Sequence, residues 1–177
     1  MSQRQAQTPV IDGFEFAKAG ATLNGAWPVN DFPRLQDALE SGAGSLEFEV
    51  VGARDDRNRP VLRVAVSGML HLACQRCLAG LDFPVRVRSC LVLVATPAEI
   101  QAGTVAPDEA DRVLAGKSMV VRDLLEDELL LALPDAPRHE DCVSTIEVAI
   151  GSRESPFQEL RALIRGRATG TKLSKDN

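Results

Sequence analysis

From Leu46 to Ala95 apolar and polar residues alternate with a period of two, interrupted only at two turns, and no other feature limits the possible folds as much. Successive side chains of a strand point to opposite faces, so such a run buries one face and wets the other. Leu46, Phe48 and Val50 share one face, and Glu47 and Glu49 the other. Arg54 to Pro60 is a polar turn in which Arg54, Arg57 and Arg59, with Arg63 beyond it, are concentrated. Leu62, Val64 and Val66 then resume the alternation through to Leu72, which predicts an antiparallel hairpin. After Ala79 and Gly80 the period returns from Val85 to Ala95, with Val85, Val87, Leu91 and Leu93 facing one way. Cys74 and Cys77 therefore fall in or beside a strand-to-strand turn, and Cys90, inside the β pattern, reads as a small core residue.

The flanks carry weaker signals. Residues 13–29, with Phe14, Phe16, Leu23 and Trp27 among Gly and Ala, suggest a short strand or two near the sheet edge. Asp31 is expected to cap a helix over about 32–41, with Pro33 in its first turn and Gly42 and Gly44 as stops. Residues 96–118 lack periodicity and read as a mobile insertion. Asp123 with Glu126 resembles a capping box that opens a helix running to Leu133, before Pro134. Ser155, Pro156 and Gln158 open a last helix whose Phe157, Leu160, Leu163 and Ile164 form one stripe, followed by a flexible basic tail over 168–177. The expectation is one α+β domain over residues 1–167: an antiparallel sheet of five or six strands, open or curled towards a barrel, with helices packed on it.

At 177 residues the chain has room for one real core, and 45% hydrophobic with 25% charged residues is ordinary for a globular protein. Residues 1–9 hold no apolar h-region, and no stretch approaches the ~18 apolar residues of a membrane span, so a cytoplasmic location and no membrane partner are expected. Four cysteines in such a chain point to reduced thiols or metal-bound thiolates rather than disulfides.

A net charge of −5 argues against a uniformly basic RNA-coating surface. Residues 151–177 nevertheless carry six basic and three acidic residues, so Arg161, Arg165, Arg167 and Lys172 are the candidate RNA contacts. Glu126, Asp127 and Glu128 belong to a stretch, 122–141, with seven acidic and two basic residues. That stretch is either a solvated helix face or a docking surface for a basic partner.

Cys74-x-x-Cys77 and His139-x-x-Cys142 offer three sulfurs and one imidazole, a tetrahedral set for one structural Zn²⁺. Reduced buried cysteines beside an unrelated loop histidine are the alternative reading. Closed coordination leaves no position for an activated water, so no metal catalysis is expected. A dithiol oxidoreductase would want a helix N-terminus beneath the first cysteine, whereas a two-residue period follows here. His71, three residues before Cys74, reads as a surface or hydrogen-bonded histidine, with ligation as its alternative role.

Three stretches together resemble the YceD family, the bacterial large ribosomal RNA subunit accumulation proteins. They are Cys74-Gln75-Arg76-Cys77 after a strand, the acidic run from Leu124 to Pro134 with Pro137, His139 and Cys142 behind it, and Ser155-Pro156-Phe157 before a basic helix. The chain departs from the common family pattern at Leu78, where a glycine often follows the second cysteine. The resemblance implies a non-enzymatic role in synthesis, processing or stability of 23S rRNA. Its partner would be that RNA or a pre-large-subunit particle, reached directly or through a ribosomal or assembly protein. A protein-binding adaptor that affects rRNA only through a partner is the second reading, and a dithiol oxidoreductase the third.

Overall fold

The alternating runs fold as strands. The computed structural model describes residues 8–102 and 110–142, all within the first of two compact units, Met1–Thr145. Six strands make one sheet: β2 (Thr22–Pro28), β3 (Leu39–Ser41), β4 (Ser45–Arg54), β5 (Pro60–Ala73), β6 (Gly80–Val94) and β7 (Arg112–Leu114). Their order is β2-β4-β5-β6-β7, and β3 takes over beside β5 where β4 has ended. Every pairing is antiparallel except that of β6 with β7. Because β2 and β7 remain separate edges, the mixed sheet is open and does not close into a barrel. A small ribbon pairs β1 (Val10–Ile11) with β8 (Met119–Val120), and the described chain holds three α-helices besides two short 3-10 turns: α1 (Gly13–Ala19), α2 (Pro97–Gln101) and α3 (Val121–Ala132).

Register follows the alternation. Phe48 lies opposite Val66, which lies opposite Val87, and Val50, Val64, Leu62 and Leu91 continue the same face. That face is the core, closed by Phe32, Leu35, Val121, Leu125 and Leu129 from the covering segments. Trp27 stacks on Phe48 with ring centroids 4.3 Å apart and meets the edge of Phe32 at 6.1 Å. The opposite face is wet except at one end, where Val61, Val92 and Val94 gather Ala53, Cys90 and Ala110 into a satellite cluster. Cys90 is thus half-buried at the sheet's back, not in the main core.

Four local expectations change. Residues 13–19 are helical rather than extended: Asp12 caps α1 by accepting from the Glu15 N–H at 3.1 Å, and Gly20 ends it at φ 60°. α1 packs on β4 at Gly52, where any Cβ would strike the Phe16 carbonyl, and the Gly52 N–H donates to the Ala21 carbonyl at 2.8 Å. The helix expected over 32–41 is instead two 3-10 turns, Val29–Asp31 and Leu35–Ala38, running into β3. Residues 96–118 contain α2 and β7, the latter locked to β6. α3 has no side-chain cap, because Glu126 turns inward instead of back to its own helix end. The expected last helix and basic tail lie outside the described residues.

Candidate metal centre

β5 delivers the chain to Cys74 and β6 leaves at Gly80, so the intervening turn is gripped at both ends by one strand pair. The Cys74 N–H donates to the Ala79 carbonyl and the Leu78 N–H to the Cys74 carbonyl, both at 2.9 Å. Closing so short a turn puts Leu78 at φ 61°, a left-handed conformation that glycine adopts at no steric cost. The chain returns to this turn after α3. There the Gln75 N–H donates to the Pro137 carbonyl at 2.8 Å, and Arg76 Nη1 to the Cys142 carbonyl at 3.0 Å.

Those clamps bring Cys74, Cys77, His139 and Cys142 together, with their four donor atoms all within 4.8 Å of one another. Cys74 Sγ lies 3.6 Å from Cys142 Sγ, and Cys77 Sγ lies 3.4 Å from His139 Nδ1. Tetrahedral zinc, with sulfur at about 2.3 Å and nitrogen at about 2.0 Å, would separate two sulfurs by about 3.8 Å and a sulfur from a nitrogen by about 3.5 Å. The donor set and its spacing therefore fit Zn²⁺. His139 Nε2 lies 3.0 Å from the Gly80 carbonyl, and its proton donated there leaves Nδ1 as the free electron pair facing the sulfurs.

The electrostatics match the geometry. Burial of Cys74, whose exposure is nil, opposes ionisation, but the backbone N–H groups of Cys77, Arg76 and His139 aimed at its sulfur outweigh that and lower the thiol to about 5. Cys142 moves the other way, raised by burial and then by the neighbouring Cys74 and Cys77 sulfurs. Without a cation, negative charge thus concentrates on Cys74 and a proton stays on Cys142.

The remaining candidates divide. His71 is outside the cluster, its Nδ1 2.6 Å from Asp82 Oδ1. Glu126 is 1% exposed and unavailable to a partner: it accepts from the backbone N–H groups of Arg34 (2.6 Å) and Leu35 (3.1 Å) and from Arg34 Nε at 2.9 Å. Asp127 is exposed but binds Arg34 Nη1 at 2.6 Å, and Glu128 is half-buried. The Arg34 guanidinium is held more firmly charged by Glu126 and then Asp127. Glu126 and Asp127 thus serve as an internal latch between α3 and the 3-10 segment. Arg161, Arg165, Arg167 and Lys172 lie outside the described residues. Sequence reasoning missed Gly80 and Pro137, whose contribution is a carbonyl oxygen that no side-chain pattern reports, and Arg34, which lies 92 residues from Glu126.

No curated protein and no solved structure matches the chain. A family model described as "Large ribosomal RNA subunit accumulation protein YceD" matches residues 62–163, which hold all four clustered donors and most of the sheet that positions them. Since that match covers more than half of the chain, and the cysteine turn and acidic helix stand where the family resemblance expects them, the chain belongs to the YceD family.

Proposed function

We propose that the protein is a non-enzymatic cytoplasmic factor supporting synthesis, processing or stability of 23S rRNA during large-subunit assembly, with one structural Zn²⁺ fastening its Cys74, Cys77, His139 and Cys142. The observation that carries the metal reading is the closed set of four donors at tetrahedral spacing. When bound, the ion would cross-link the β5–β6 turn to the segment behind α3 and add folding free energy. Four protein ligands leave no position for a reacting water, which favours a structural role. The ribosomal reading rests on the family.

A dithiol oxidoreductase draws some support from the low Cys74 thiol value, but attack on a partner disulfide needs an accessible sulfur, and Cys74 is fully buried. Two measurements test the proposal. Deleting the gene should lower mature 23S relative to 16S rRNA, most visibly in the cold, and an unchanged ratio would refute the ribosomal reading. Protein purified without chelator should carry about one zinc per chain. Cys77→Ser should lose that zinc and melt earlier, and a metal-free wild type as stable as the variant would refute the metal.

A further inference from the structure

The solvent face of the sheet carries a separated pair of charges. Across one row the register runs Glu49–Ala65–Arg88, and across the next Glu47–Ser67–Arg86. β4 therefore presents two exposed carboxylates and β6 two exposed guanidinium groups, with only Ala65 and Ser67 of β5 between them. The result is a groove of about 400 Å³ with an acidic wall, a basic wall and a floor of small side chains. Among the described residues, none of the four charged side chains is engaged in an ion pair or side-chain hydrogen bond.

We propose that this face binds a second copy of the chain. A two-fold axis lying along β5, over Ala65 and Ser67, carries each acidic wall onto the basic wall of the other copy. Glu49 then meets Arg88 and Glu47 meets Arg86, twice over, because each pair already shares a level in the register. Ala65 and Ser67 fall on the axis, where small residues let the two β5 strands approach. Exposed Met69, opposite Pro84, extends the contact along the same face. A nucleic acid would find the arginines flanked by carboxylates only two strands away, which repel phosphate, so the second copy is the better charge match. Three strands, β4 to β6, by seven residues give a footprint of roughly 330 Å² in projection, below the ~800 Å² per partner of a standard interface even with the long Arg and Glu side chains added. The association is consequently concentration-dependent and salt-sensitive rather than obligate.

Charge reversal on the full chain tests it. Sedimentation velocity should show wild-type protein passing from one chain to two as concentration rises, with dimerisation weakening about tenfold between roughly 50 mM and 500 mM salt. E47R/E49R and R86E/R88E should each be monomeric, since each then faces its own charge, yet a one-to-one mixture of the two should form a dimer. Arg63 lies on β5 near the axis and would face its own copy, so R63A should tighten the wild-type dimer about twofold. Recovery in the mixture excludes misfolding as the cause of the single losses. Failure of the mixture to associate, or a wild type that stays monomeric while R86E/R88E loses affinity for an rRNA fragment, would overturn the proposal, the second result assigning the arginines to phosphate.

Discussion

Leu78 occupies a left-handed backbone position with its side chain largely exposed, so it gains little from burial to offset the conformation. For an L-residue that position costs about 1–2 kcal/mol, and glycine escapes it while losing more entropy on folding. Leu78→Gly is therefore expected to stabilise by about 1 kcal/mol and raise Tm by about 3 °C in a thermal scan. The neighbouring thiols supply a second expectation. Cys142 is raised above its ordinary value and holds its proton at neutral pH, whereas a zinc ligand must be a thiolate. Loading the metal-free protein at pH 7 should release at least one proton. Calorimetry in two buffers of different ionisation enthalpy measures it, and identical heats would contradict the assignment. The left-handed Leu78 shows that closing this turn demands a conformation glycine would adopt without strain, whichever residue occupies it.

α3 is held to the rest of the domain by more than its apolar stripe. Its Glu126 carboxylate organises the 3-10 turn at Leu35 through two backbone N–H groups, while Arg34 closes over it to reach Asp127 and the Asp123 carbonyl. Glu126→Ala would strand those buried donors, at an expected cost of about 3 kcal/mol and a Tm drop of about 9 °C. Glu126→Gln, which retains an acceptor, should lose less. The difference between latch and surface charge could not be read from the run Glu126-Asp127-Glu128, because the deciding partner is distant in sequence. The three long strands were legible, since an alternation sustained over ten or more residues admits one face and one register. α1 was not, because Phe14 and Phe16 mimic a strand period. Asp12 followed by Glu15, with Gly20 at the end, was the signal that would have exposed it. The 3-10 turns escaped for the opposite reason: Leu35 and Leu39 have helical spacing, yet Leu39 enters β3.

At the scale of the molecule, the four donors join distant parts of the chain, with Cys77 and His139 62 residues apart. The sheet's main pairings do not need that link, since β4, β5 and β6 are neighbours in sequence. If the cluster holds zinc as proposed, removing it with a chelator should speed amide exchange at Gln75, Leu78 and residues 137–142, while the central strands keep their protection; the readout is exchange mass spectrometry. Uniform loss of protection would mean that the metal supports the whole core. The four donors themselves were legible as two spaced pairs. Their convergence was not, because it depends on backbone contacts from Gln75 to Pro137 and from His139 to Gly80.

That sequence separation also has a consequence for synthesis on the ribosome. At roughly 5–20 residues per second, His139 leaves the peptidyl-transferase centre about 3–12 s after Cys77. For that interval the nascent chain carries only two of the four donors, Cys74 and Cys77. If the cluster holds an ion as proposed, the distance between its two halves would link translation speed, as well as metal supply, to how much protein becomes loaded.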